Sequence, residues 1–161
     1  MRSMVMETEV LYFKKLEGTV LAIDYIEWAF TMLHNRMSTP SLNILASLTE
    51  PLNIFEVEDY FNRALYELDI TEPSYEDSAK YYVRYLLRQI VDDPRLAIEN
   101  AYKVYTIARD HFLDEEQDRW YEISELIDDV LYGDNSKNIT QASLNQSIVR
   151  LSNQQLDNSS F

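Results

Sequence analysis

The stretch Asn53-Ile54-Phe55-Glu56-Val57-Glu58-Asp59-Tyr60-Phe61-Asn62-Arg63-Ala64-Leu65-Tyr66-Glu67-Leu68 decides the fold class. Within it Ile54, Val57, Phe61, Ala64, Leu65 and Leu68 recur at intervals of three and four, the period that lines one face of an α-helix. Asn53, with Glu56 three residues on, fits a helix cap: the side chains satisfy N–H groups that have no partner in the first turn.

The same reading extends both ways. Ser74 with Asp77 opens a helix whose apolar stripe is Ala79, Tyr82, Val83, Leu86, Leu87 and Ile90. Asp93-Pro94 stops it and starts the next, since proline in a first turn has no N–H to leave unpaired. Leu96, Ala97, Ala101, Val104, Tyr105 and Ala108 carry that helix to about His111. Asp114 with Gln117 opens another, with Trp120, Ile123, Leu126, Ile127, Val130 and Leu131 inward, and Gly133 is expected to end it in the left-handed conformation. Upstream, Thr19 to about Asn35 reads as a helix apolar over a wide arc, and Thr39-Pro40 opens a short one through Leu48. Residues 8–16 fit either a helical turn or a short strand.

Composition agrees with this pattern. Two glycines in 161 residues are too few for the tight turns of a typical β protein, so the expected class is all-α: an irregular bundle of about six or seven helices in one domain over 1–134. Helix starts near 54, 75, 94 and 115 also fit a short array of helical hairpins, but the units share no residue-level similarity. From Asn135 the chain turns to Asn, Ser, Gln and Thr, which predicts a polar, partly disordered tail over 135–161. Within it Ile139, Ala142, Leu144, Ile148, Val149 and Leu151 have the spacing of one weak docked helix.

Charge narrows the function classes. With 14 Lys+Arg against 28 Asp+Glu, the net charge of −14 opposes tracking of a phosphate backbone and favours a basic protein as partner. No apolar run approaches the roughly 20 residues of a membrane span. The N-terminal segment, with a lone Arg2 and with Glu7 and Glu9 breaking the apolar run, does not fit a secretory signal, so the expected location is the cytoplasm. The chain has no cysteine, which removes thiolate nucleophiles and Cys-ligated metal sites. No dinucleotide fingerprint, phosphate loop or nucleophile elbow is present, since the two glycines stand far apart at Gly18 and Gly133. No catalytic residue and no cofactor is assigned.

The densest feature is acidic. Glu115, Asp118, Glu122, Glu125 and Asp129 recur at three- and four-residue spacing on the face opposite Trp120, Ile123, Leu126 and Ile127. Such a ribbon is either a solvated face, helped by carboxylates near the helix N-terminus, or an electrostatic docking surface with Tyr121 as an aromatic anchor. Those five acids and Tyr121 are the candidate partner-binding residues. A third reading uses Glu122, Glu125 and Asp128: their E-x-x-E-x-x-D spacing resembles half of the magnesium-binding pattern of all-helical nucleotide pyrophosphohydrolases, but both triplets fall on one helix. Neither His34 nor His111 has the Glu three residues earlier that a di-iron bundle requires. Lys80, Arg84 and Arg88 form one positive stripe, read as internal electrostatics rather than an anion site. Among twelve tyrosines, Tyr66, Tyr75, Tyr81, Tyr85 and Tyr121 fall off the apolar stripes and are candidate exposed rings.

Size, acidity and absence of cysteine together resemble the small helical immunity and antitoxin-type proteins with which bacteria neutralise basic toxins. Asp77-Ser78-Ala79-Lys80-Tyr81-Tyr82 is similar to the acidic, paired-tyrosine motif of the four-helix immunity proteins against nuclease colicins. It lacks their proline after the tyrosines and sits in a chain about twice as long, so no binding residue is carried over. The resemblance implies an inhibitor that covers a basic partner. The alternatives are a metal-dependent helical hydrolase and a structural or self-associating helical protein; the oligomeric state is left open.

Overall fold

The computed structural model describes residues 2–111 and 114–158, and every regular element among them is helical. The order is α1 (Arg2–Leu16), α2 (Ala22–His34), α3 (Pro40–Ser47), α4 (Ile54–Glu67), α5 (Tyr75–Asp92), a 3-10 turn (Pro94–Leu96), α6 (Ala97–Asp110), α7 (Asp114–Leu131) and α8 (Gln141–Asp157). The sequence predicts one domain over 1–134; the chain forms two compact units, Met1–Ser78 and Ala79–Phe161, with the division inside α5. None of the described helices is long and apolar enough to cross a membrane.

Capping chemistry sets most boundaries. The Asn53 amide oxygen accepts from Phe55 N at 2.9 Å and Glu56 N at 3.4 Å, Thr39 Oγ1 accepts from Leu42 N at 3.2 Å, and Ser74 Oγ accepts from Asp77 N at 3.1 Å. Thr19 does not open α2 as expected. It closes α1, donating from its amide and its hydroxyl to Lys14 O, with Gly18 at φ 72° supplying the left-handed turn. α2 starts three residues later, where the Asp24 carboxylate accepts from Leu21 N at 2.7 Å. Residues 8–16, open between helix and strand, belong to α1; Val10, Leu11, Tyr12 and Phe13 are all buried, so no polar face interrupts them to reveal the period.

In the first unit Phe61 of α4 is the centre of an aromatic cluster. Its ring lies 4.9 Å from Tyr25 and 4.8 Å from Trp28, both edge-on, and 5.8 Å from Tyr12. Such pairs add about 0.5–1.5 kcal/mol each beyond area burial. Trp28 Nε1 donates to buried Thr8 Oγ1 at 3.0 Å, which satisfies the indole and fixes α1 on α2. Met32, Leu42, Leu45, Val57 and Ala64 complete this core.

In the second unit α6 packs against α7 and α8, burying Ala97, Ala101, Val104, Ile107 and Ala108. Buried Asn100 donates to Leu86 O at 3.3 Å and Gln89 Oε1 at 3.1 Å, tying α6 to α5. The segment expected as a polar tail contains α8, with Leu144, Ile148, Ser152 and Gln155 buried. Ser152 Oγ donates to Ile148 O at 2.8 Å, and Gln155 Oε1 accepts from Trp120 Nε1 at 2.7 Å, while the buried Gln155 Nε2 has no hydrogen-bond partner among the described residues. Hydrogen bonding offsets the desolvation cost of the Ser152 hydroxyl and the Gln155 amide oxygen.

Gly133 also departs from expectation. Left-handed backbone falls at Asn135 (φ 47°) and Asn138 (φ 54°), not at Gly133. The glycine is needed for proximity instead: a Cβ there would lie 2.9 Å from Asp129 Oδ1 and 3.0 Å from Asp129 Cα. Its N–H donates to Asp128 O at 3.0 Å, closing α7 against its own last turn.

Candidate functional site

α7 presents the five candidate acids as its spacing implies. Trp120 and Ile127 are fully buried on one side, while Glu115, Asp118, Glu122 and Glu125 are exposed and Asp129 is partly exposed. Tyr121 is 48% exposed beside Glu122, and its ring lies 5.7 Å from Tyr105 of α6, which steadies it without covering it.

Neutralisation within the fold is the alternative that geometry can test. None of Glu115, Asp118, Glu122, Glu125 and Asp129 makes an ion pair with a described cation. Lys80, Arg84 and Arg88 of α5 are partly buried and already in interactions of their own. Arg95 is held by Asp93, Nε to Oδ1 at 2.8 Å and Nη2 to Oδ2 at 2.9 Å, which keeps the Asp93 carboxyl below its usual range. Arg109 pairs with its neighbour Asp110 at 2.9 Å and Lys103 with Glu99 at 2.8 Å. Arg95, Lys103 and Arg109 are thus spent on local partners.

Eight carboxylates against Arg119 alone on α7 carry a cost. Like charges three or four residues apart destabilise a helix by a few tenths of a kcal/mol per pair. The ribbon therefore weakens the isolated fold.

Glu122, Glu125 and Asp128 do not assemble into a metal site. Among the described residues no group of three or more His, Asp or Glu side chains converges with metal-like geometry. Asp128 Oδ1 instead accepts a hydrogen bond from the Tyr102 hydroxyl, and burial, together with that anionic acceptor, pushes the Tyr102 ionisation well above its ordinary range. His34 is the exposed last residue of α2, and His111 caps α6 with its N–H on Ile107 O at 3.0 Å.

Of the candidate exposed tyrosines, Tyr66, Tyr75 and Tyr121 are exposed and Tyr81 and Tyr85 are only partly so. Tyr132 was not among the sequence candidates, yet it is 81% exposed at the C-terminal end of the ribbon, with its N–H still bonded to Asp128 O at 2.9 Å. Its position eleven residues after Tyr121 is the signal that would have found it, because eleven residues is close to three helical turns.

No family model, curated protein or solved structure matches this chain.

Proposed function

We propose that the chain is an acidic protein-binding module of immunity-inhibitor type, whose α7 ribbon docks a basic protein. The observation that carries this reading is that Glu115, Asp118, Glu122 and Glu125 are exposed with no ion pair, on a helix they destabilise. A basic partner removes that repulsion, so part of the binding free energy comes from relieving the free protein. Complementary charge also raises the encounter rate, while Tyr121 offers an amphipathic ring of the kind that anchors interfaces. The role is binding rather than catalysis.

The test is capture from native lysate at low salt with wild-type chain and with Glu115→Lys/Asp118→Lys/Glu122→Lys as baits. A basic protein held by the wild type, released by salt and missing from the triple variant supports the proposal. Retention of the same proteins by both baits, indifferent to salt, refutes it.

A further inference from the structure

Phe55 and Tyr66 of α4 are 82% and 88% exposed, and neither ring contacts another ring among the described residues. They stand eleven residues apart, which puts both on one stripe of the helix, about 16 Å from each other. Asp59 and Asn62 lie between them on that stripe, both exposed, giving aromatic, acid, amide and aromatic at intervals of four, three and four. α7 and its closing turn repeat the register: Tyr121, Glu125, Asp128 and Tyr132 have the same intervals, an aromatic ring at each end and two central acids, all exposed. Single exposed aromatics are ordinary on protein surfaces. One such stripe falls in each compact unit.

We infer that α4 is a second docking face for the same class of partner as α7: a basic amphipathic helix that sets Lys or Arg against the central polar positions and apolar side chains over the terminal rings. Charge selects this occupant. α4 carries Glu56, Glu58, Asp59 and Glu67 against Arg63 alone. The Asp59–Arg63 pair, 2.9 Å apart, is more than half exposed at both ends, and pairs of that kind are weak enough to yield to an incoming cation. The terminal rings add cation–π contacts to Lys or Arg that overreach the acids. A second copy of this chain does not fit, because each copy carries −14 and would bring carboxylates against carboxylates. The inference rests on the α7 reading for the class of partner, and the two faces can be altered separately.

The probe is a synthetic amphipathic helix of Leu and Lys, titrated calorimetrically into the full chain at low salt. Wild type is expected to bind two peptides, and Phe55→Ser/Tyr66→Ser and Tyr121→Ser/Tyr132→Ser one each, the altered site weakened about tenfold or more. All four positions are exposed, so far-ultraviolet circular dichroism should show unchanged helix content. Two sites of unchanged affinity in the α4 variant overturn this inference and leave the α7 reading standing. Loss of a site in the α4 variant alone supports it and counts against α7. A wild-type stoichiometry of one peptide, or a dimer in sedimentation velocity that the α4 variant dissolves, overturns it.

Discussion

Replacing Glu9 by Gln should make the protein more stable at pH 8 and change it little at pH 5. Glu9 lies on the partly buried side of α1, where its carboxylate accepts from the hydroxyl of fully buried Ser78 at 3.4 Å and Asp77 stands nearby. Burial chiefly, and Asp77 in addition, raise its pKa from 4.5 to about 7, against the opposing effect of the Ser78 hydrogen bond. A group raised in the folded state contributes stability fully below its unfolded value and loses it as pH climbs through the folded one. The relevant window is therefore pH 4.5 to about 7. At about 1.4 kcal/mol per pH unit the full shift would cost about 3 kcal/mol at pH 8. Water reaches part of this side chain, so screening reduces the effect to about 1–2 kcal/mol. Glutamine keeps an acceptor for Ser78 without a charge. Thermal melts of wild type and Glu9→Gln at both pH values should differ by about 3–6 °C in favour of the variant at pH 8. Near pH 5 they should coincide. Parallel pH slopes in the two proteins, or a variant that is less stable at pH 8, would refute the reasoning.

Three further outcomes follow from the fold. Gly133→Ala should cost about 1–3 kcal/mol in chemical denaturation, because the added Cβ meets Asp129 backbone as well as its carboxylate; an unchanged midpoint would mean the turn relaxes freely. Arg36→Gly should stabilise by about 0.5–1 kcal/mol, since Arg36 holds φ 66° where Met37 N returns to Met32 O, and a destabilised variant would contradict that strain. Gln155→Leu should cost about 1–3 kcal/mol by stranding the Trp120 indole N–H, whereas Trp120→Phe made in the Gln155→Leu background should cost less than in wild type. Additive losses in that cycle would show the two groups to be uncoupled.

Helix identity was legible because stripes and caps are local signals. The Asn53, Thr39 and Asp93 caps needed only the spacing of a polar side chain from an apolar run, and each accepts the expected backbone N–H. What escaped sequence reasoning was decided by contacts distant in the chain. The spacing of Leu144 and Ile148 offered α8 as one weak docked helix in a polar tail, but no composition records that Gln155 meets Trp120 thirty-five residues away. Gly133 looked like a left-handed stop because sequence shows the residue type but not the closeness of Asp129. For the acidic ribbon, amphipathic spacing foretold which side of α7 the carboxylates occupy. Whether cations reach them depended on where Arg95 and Arg109 point, and both turn to local aspartates. The α4 stripe was half visible, through Tyr66 alone. Phe55 next to Ile54 is indistinguishable by hydropathy from a core residue.

The most direct measurement is the salt dependence of affinity between wild-type chain and the captured basic partner, repeated with Glu115→Lys/Asp118→Lys/Glu122→Lys. The account predicts affinity that falls steeply as ionic strength rises for the wild type, and for the variant a weak interaction with a nearly flat slope. Equal affinity and equal slope for the two proteins would contradict it, and would leave the α7 carboxylates as a solvated surface.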